Sequence, residues 1–352
     1  MRSRILIAGG YGLIGSTFAR QLRSLSPEAE LILAGRNPEK GAALARELDC
    51  ASTAALDVAG GTGLDALASA DLVVSALYDP ANTLALEALR RGVAHIGITT
   101  KVEDVAPIAF AALRSAPKRP IVLLGHCTAG VATIVAQKAA QRFRRVDAIA
   151  VAALYDARDP VGPMTAGDAE MLVTRALLRQ AGLWKWVEGP QHARAVRLND
   201  DTMLDGYPAG LLDAPSLASI TGAANVRIDM LQGDSIGTRA GGPASSDVYI
   251  DIEGVSQAGK PMKQRTIVSD PRGLAHLTAL GIVVATERVL GLDGRSPAPG
   301  GLYLPETLVS PDAAVARLEQ FGVRVVHEQE SGAIDRAGAK RSDLPPAARM
   351  SA

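Results

Sequence analysis

The sequence predicts an α/β protein. A parallel sheet covered on both faces is followed by an inserted α+β domain with a mostly antiparallel sheet. Three observations predict this. Short all-apolar runs alternate with helical patterns from Ile5 to about Leu124, as in parallel strands buried on both faces. A glycine-rich turn links the first such run to the first helical pattern. Beyond Leu124 the apolar residues begin to alternate with polar ones, for example Val248, Ile250 and Ile252 against Tyr249 and Asp251, which marks half-exposed antiparallel strands.

The elements follow in order. Ile5–Ala8 is a buried strand ended by glycine. Leu13, Ile14, Phe18, Leu22 and Leu25 fall at helical spacing. Leu31–Ala34 is a second strand. Asn37 and Pro38 open a helix running to about Leu48, because asparagine caps a helix well and proline suits its first turn. A third strand ends at Ala55–Asp57. Leu72–Ala76, His95–Ile98 and Ile121–Leu124 are the fourth to sixth, with helices over about 81–91 and 105–115 between them. A helix from Val131 to Phe143 and a strand from Val146 to Leu154 come next. A helix is predicted over 166–181. Strands follow at 191–198, 226–231, 248–252 and 263–268, the last two joined by a hairpin loop over 253–262. Leu274–Leu290 is an apolar helix ending at Gly291, Pro311–Phe321 a short helix and Val323–Val326 a final strand. The predicted division is 1–127 for the parallel-sheet domain, 128–271 for the inserted domain, 272–327 for helices returning to the first domain, and 328–352 for a disordered tail.

Composition narrows the function. At roughly 150 residues per domain, 352 residues suit about two domains. Lys plus Arg and Asp plus Glu are 37 each, so the formal charge is zero, which argues against a nucleic-acid partner. Aromatic residues make up 3%, too few for a base-stacking surface. Cys50 and Cys127 lie far apart without metal spacing, so neither a disulfide framework nor a metal site is expected. The apolar run at the N-terminus is cut short by glycine, and no stretch approaches the roughly 20 apolar residues of a membrane span. A cytoplasmic protein is expected.

The sharpest motif is Gly10-Tyr11-Gly12-Leu13-Ile14-Gly15, preceded by Gly9. One glycine makes the tight turn, one admits a pyrophosphate close to the backbone, and one lets helix and strand pack closely. The pyrophosphate would rest on the free N–H groups of the helix N-terminus. Between a strand and a helix, this motif predicts a Rossmann-type dinucleotide site. An NAD site carries Asp or Glu at the end of the second strand. Here Gly35-Arg36-Asn37 occupies that place. No carboxylate would repel a phosphate and Arg36 can pair with one, so NADP(H) is the expected cofactor. Asp57 and Val58 are candidates for the adenine edge, or for a local turn. Ser75, Ala76, Leu77 and Tyr78 lie where the fourth strand leaves the sheet and complete the cofactor set.

Ligands of such sheets lie beyond the carboxyl ends of the strands. The loops there hold Tyr78 and Asp79, Thr99, Thr100 and Lys101, and His126, Cys127 and Thr128. Hydride transfer needs a proton donor near the acceptor atom. His126 is the first choice, because its ordinary pKa suits neutral pH; Lys101 and Tyr155 follow. Cys127, Thr128, Asp156 and Arg227 are candidates for touching substrate, although an ion pair with Asp229 is the plainer reading of Arg227. Trp184 and Trp186 read as closing the core or as lining an apolar pocket, and Gly233–Gly242 as a lid or a plain surface loop.

These residues resemble the saccharopine dehydrogenase-like proteins. The likeness is carried by Ile5–Gly15, by Leu33-Ala-Gly-Arg-Asn-Pro-Glu-Lys40, by Ala70-Asp-Leu-Val-Val-Ser-Ala76, and by Leu274–Gly291 with Pro305-Glu306. It implies a Rossmann domain, an inserted α/β domain, and NADP(H)-linked chemistry at carbon–nitrogen bonds of a small molecule. The chain departs from the family pattern at Gly97-Ile-Thr-Thr100, where Asp-Thr or Asp-Ser is usual, and at Thr128-Ala-Gly130, where Pro-Gly is common. The opening also resembles extended short-chain reductases. Those need Tyr-x-x-x-Lys, and none of the six tyrosines has lysine four residues on. The alternatives are an enoyl or carbonyl reductase for a lipid-like substrate, and a non-catalytic NADP-binding sensor or scaffold. A homodimer through the second sheet is the expected assembly.

Overall fold

The computed structural model describes residues 2–98, 101–162 and 173–330. Its first half alternates strands and helices: β1 (Arg4–Ala8), α1 (Leu13–Leu25), β2 (Glu30–Gly35), α2 (Ala42–Leu48), β3 (Ala51–Ala55), β4 (Leu72–Ser75), α3 (Thr83–Arg91), β5 (Ala94–Gly97), α4 (Val105–Arg114) and β6 (Pro120–Leu123). All strand pairs among these are parallel. Their side chains point alternately to two apolar layers. Ile5, Ile7, Leu31, Leu33, Leu72 and Ile96 meet α1 and the helix Leu274–Leu290. Leu6, Ala8, Ile32, Val73, Ile121 and Leu123 meet the α3–α4 side. Each fully buried Leu or Ile contributes about 1.5–3 kcal/mol relative to exposure, so these all-apolar runs have no stable alternative at the surface.

The second half forms a nine-stranded sheet. α5 (Val131–Ala140) leads into the long β7 (Phe143–Tyr155), followed by β8 (Arg175–Gln180), β9 (Leu183–Glu188), β10 (Arg194–Arg197), β11 (Met203–Pro208), β12 (Asn225–Gln232), β13 (Ser246–Ser256) and β14 (Pro261–Asp270). Among the described residues of this sheet only β7 and β12 pair in parallel; the other pairs are antiparallel. α5 and the helix Asp213–Thr221 cover one face with Val131, Val135, Ala214 and Leu217 against Ile149, Val151 and Ile250.

Three expectations are corrected here. The helix predicted over 166–181 is not found in its described part. Arg175–Gln180 is a strand, turned back at Ala181 and Gly182, both with positive φ. Such a pair gives the two-residue turn that matches strand twist. The 163–172 part of that prediction lies outside the described residues. Ala176 and Leu178 point inward, while Arg175 and Arg179 lie over the rings of Trp186 and Trp184 on the outer face. The tryptophans are therefore exposed, not core. The loop predicted over 253–262 is mostly paired strand, closed by Ser256 N–H donating to Lys260 O at 2.8 Å. A bulge at Glu253–Gly254 bends β13 against β7, and a Cβ on Gly254 would lie 2.1 Å from Arg145 O.

The C-terminal part stitches the two units together. The helix Leu274–Leu290 sends Ile282, Val283 and Val289 into the first core and Leu277 and Leu280 into the second. Gly281 sits where a Cβ would come within 2.4 Å of Ala129 O. β15 (Gly301–Tyr303), which the sequence does not announce, adds a seventh parallel strand beside β6, giving the order β15-β6-β5-β4-β1-β2-β3. β16 (Arg324–Glu330) pairs with β14. The last strand thus belongs to the second sheet and not, as expected, to the first, and Glu328 lies within it. Residues 331–352 lie outside the described residues. The strand order reverses between β1 and β4, and the crevice beyond their carboxyl ends is where open α/β sheets take ligands.

Candidate functional site

The turn after β1 is shaped by its glycines. Gly9 has φ +78°, and its N–H donates to Ala34 O at 2.8 Å. A Cβ on Gly10 would lie 2.8 Å from Ile7 O and from Leu33 Cα. One on Gly15 would lie 2.2 Å from Gly9 O. Gly12 is the least crowded, meeting only Gly9 O at 3.2 Å, so packing asks least of the glycine placed for close approach of a ligand. Gly12 is also the N-cap of α1. No side chain caps the helix, and no acid lies in its first turn. The first N–H groups of α1, from Leu13 to Gly15, are left at the positive end of the helix with no competing carboxylate.

Tyr11 straps this turn to the end of β2. Its hydroxyl accepts the Asn37 N–H at 2.9 Å. Its ring fills the space over Gly35 and Gly41, where a Cβ would lie 2.3 Å from the Tyr11 hydroxyl and 2.9 Å from Cδ1. Arg36, beside it, is exposed and has no hydrogen bond or ion pair among the described residues. Asp57 exchanges backbone hydrogen bonds with Thr62, both at 2.9 Å, and closes its own turn; Val58 is partly buried against the apolar layer on the α3–α4 side. The residues after β4 abut the glycine turn. Ala76 N–H donates to Ala8 O at 2.9 Å, and Gly9 lies under Ala76 O. Ser75 Oγ is buried without a hydrogen-bond partner. Leu77 is half-buried and Tyr78 is exposed. Asp79 caps α3 through the Thr83 and Leu84 N–H groups. Lys101 opens the short turn after β5 and has no ion pair among the described residues. Thr99 and Thr100 lie outside them. Glu103, in that turn, meets Arg175 of β8 at 3.4 Å, so the hairpin of the second domain reaches the rim of the crevice.

The remaining candidates separate. Cys127 points into the second core, and burial pushes its thiol up from the ordinary value. The Asp156 carboxylate accepts the Ser235 and Arg158 N–H groups and the Thr238 hydroxyl at 2.6–2.9 Å and so ties the start of the 233–242 segment to the end of β7. Tyr155 stands just before it, its O accepting Gly233 N–H. Arg227 pairs with Asp229, as does Arg194, so the structural alternative is the one observed.

Beyond β6 lies a buried polar cluster. Thr128 and Ala129 have φ near +50° (49° and 50°) ahead of Gly130 at 87°. For residues with a Cβ this costs about 1–2 kcal/mol each. His126 Nε2 lies 2.8 Å from Ser216 Oγ and 4.0 Å from Glu306 Oε2. Asp213 accepts the Cys127 N–H and the Thr133 hydroxyl, both at 2.8 Å. The sequence singles out neither Asp213 nor Ser216, and Glu306 only as part of the family resemblance and not as a site residue. They reach His126 only through tertiary folding. Pro305-Glu306 directly after a short apolar run, and an acid opening the helix at Asp213, were the available signals.

Burial tunes these groups. It lowers the pKa of His126 to about 3 and of His95 to about 4. It raises Asp213 to about 6 and raises Glu306. A histidine kept neutral by burial is protonated at higher pH in the unfolded chain than in the folded one. Stability is therefore full above about pH 6.5 and falls as pH drops, by about 1.4 kcal/mol per pH unit per histidine. Asp213 opposes this, since its folded pKa is raised and its cost is relieved as pH falls through about 6. Glu306, also raised, opposes it in the same sense. Denaturant unfolding between pH 6.5 and 4 is therefore compared between wild type and His95→Leu, and the wild type is expected to lose more stability as pH falls. Parallel profiles of the two proteins contradict the assignment.

No protein-family model matches the chain, and no curated protein sequence matches it. Solved structures do. Apo histidine-tagged saccharopine dehydrogenase (L-Glu forming) from Saccharomyces cerevisiae superposes with a TM-score of 0.69 at 12% identity, covering 94% of this chain and 100% of that one. The WlbA dehydrogenase from Chromobacterium violaceum, in complex with NADH and UDP-GlcNAcA, gives 0.47 at 14% identity over 91% and 94% of the two chains. A super-repressor mutant of Gal80p from Saccharomyces cerevisiae gives 0.47 at 10% over 92% and 98%. What is shared with saccharopine dehydrogenase is the fold: a Rossmann-type parallel sheet with a second, mostly antiparallel domain. No helix among the described residues is long and apolar enough to cross a membrane.

Proposed function

We propose that the chain is an NADP(H)-dependent oxidoreductase that reduces or oxidises a small organic substrate at a carbon–nitrogen bond. The observation that carries the reading is the pairing of an uncapped helix N-terminus behind Gly10–Gly15 with an unpaired Arg36 at the end of β2. The residues fit the cofactor. The N–H groups of Leu13, Ile14 and Gly15 would hold the pyrophosphate. The Arg36 guanidinium, with Asn37 beside it, would take the 2′-phosphate by charge-assisted hydrogen bonds. Ser75–Tyr78 and Lys101 would flank the reacting end. When bound, the cofactor supplies the hydride, and the protein supplies orientation and the proton. The carbon–nitrogen bond rests on the resemblance of motifs and on the fold shared with saccharopine dehydrogenase.

A non-catalytic NADP-binding sensor is the second reading. The observation on its side is that His126 is fully buried and held neutral. NADPH consumption with mixtures of 2-oxo acids and amines, beside a panel of enones, separates the two. Turnover with the imine-forming mixtures is expected. Tight binding of NADPH without turnover of any compound overturns the enzymatic reading in favour of the sensor.

A further inference from the structure

The chain has two tryptophans, and the fold puts both at the surface of the β8–β9 hairpin. Trp184 and Trp186 are 45% and 42% exposed, and Leu183, beside them at the turn, is 66% exposed. With Lys185 they make four consecutive exposed residues on β9. Large apolar side chains grouped at a surface mark contact with something else. The hairpin does not need them for its own packing. Ala176, Leu178 and Val187 fill its inner face, and Arg179 of β8 pairs with Val226 of β12. The turn is held by backbone groups: Gly182 N–H donates to Ala224 O at 2.9 Å and Ala181 N–H to Asn225 Oδ1 at 3.0 Å. The tip is thus a fixed ledge with its apolar residues turned to solvent.

Charge narrows what the ledge fits. From Val173 to Val187 the chain carries Arg175, Arg179 and Lys185 and no acid. Arg175, at the base, is met by Glu103, and Glu188 follows the strand, where it accepts from Gln191. Towards the turn the cations are uncompensated. Arg179 donates to the carbonyls of Gly182 and Ala223, and neither it nor Lys185 has an ion pair among the described residues. Tryptophan favours a boundary where its ring meets apolar chains and its N–H stays wet, and basic residues are drawn to anionic headgroups. A second copy fits less well, because a two-fold contact would set Arg179 and Lys185 against an identical acid-free patch. Single-stranded nucleic acid also fits less well. Bases stack on open ring faces, and the Arg175 guanidinium already lies 4.3 Å from the centre of the Trp186 ring.

We infer that the β8–β9 hairpin docks the protein on the surface of an anionic lipid bilayer, with Leu183, Trp184 and Trp186 seated at the headgroup boundary and Arg179 and Lys185 against lipid phosphates. The docking is peripheral: the tip enters the interface and no segment crosses the bilayer. The Glu103–Arg175 contact joins the base of the hairpin to the rim of the crevice, so docking brings that rim towards the lipid. It needs no nucleotide and stands whether or not the cofactor reading does.

Because both tryptophans of the chain lie in the hairpin, the intrinsic fluorescence of the full-length protein reads the docking directly. With vesicles of phosphatidylglycerol and phosphatidylcholine in equal parts, the emission is expected to shift to the blue and to be quenched when the acyl chains are brominated. Arg179→Gln combined with Lys185→Gln is expected to lower the partition coefficient on the order of tenfold, since each basic residue near an anionic surface contributes about fivefold. Trp184→Ala combined with Trp186→Ala, read by co-sedimentation with the same vesicles, is expected to lose most of the binding, and Leu183→Ser serves if that variant fails to fold. No shift and no quenching with the anionic vesicles overturns the docking, as does partitioning that these variants leave unchanged. A wild-type dimer in sedimentation velocity that the tryptophan variant dissociates, without vesicle binding, gives the surface to a second copy and overturns it too. So does a fluorescence change with oligo-deoxythymidine and none with vesicles.

Discussion

Replacing Gly15 by alanine is expected to weaken dinucleotide binding severely. The new Cβ would lie 2.2 Å from Gly9 O and 2.9 Å from Gly10 Cα. Both obstacles are backbone, so no rotamer change relieves them. The turn itself cannot retreat, because the Gly9 and Gly10 N–H groups are tied to Ala34 O of β2. α1 must therefore move away from β1, and its first N–H groups move with it. Overpacking of this kind costs about 1–3 kcal/mol of stability. The loss of affinity is expected to be larger, on the order of a hundredfold, because the N–H groups and the dipole act within the first turn only. It should be equal for NADPH and NADH, since both carry the pyrophosphate. Gly242→Ala is the control: its Cβ would meet only Gly237 O at 3.5 Å. Wild-type binding by Gly15→Ala contradicts the cradle.

Arg36→Ala is expected to discriminate between the two cofactors. A hydrogen bond to a charged group contributes about 1.5–3 kcal/mol. NADPH should therefore weaken by roughly ten- to a hundredfold, while NADH is nearly unchanged. Part of the loss is expected to vanish at high salt, because Arg36 is exposed and its field is screened. Arg36→Lys should restore only part of the affinity, as an ammonium cannot match the planar fork of the guanidinium. Equal losses for both cofactors would remove the basis for assigning Arg36 to the phosphate.

The parallel sheet and its cofactor edge were legible in the sequence because their signals are local. Strands such as Ile5–Ala8 are continuous apolar runs, and the glycines that shape the turn are neighbours in the chain. The helix Leu274–Leu290 was legible to the residue because a long apolar pattern ends at Gly291, which adopts the left-handed cap. The β8–β9 hairpin was not. Its turn uses Ala181 at φ +47°, where asparagine, aspartate or glycine would have announced it, and Ala-Leu-Leu-Arg-Gln reads as helix by propensity. β15 is three residues long and borrows its stability from β6. The final strand looked like part of the first domain because nothing in Val323–Val326 names its partner; β14 supplies it. The buried cluster shows the same limit. His126 was visible as a residue after a strand, whereas Ser216 and Glu306 acquire meaning only once β15 and the helix Asp213–Thr221 bring them to it.

The most direct test of the cofactor assignment is calorimetric titration of the wild-type chain with NADPH and with NADH at one low salt concentration. Heat of binding for both, with NADPH tighter by about tenfold or more, is the predicted result. No heat with either nucleotide, or an affinity for NADH equal to that for NADPH, would contradict it.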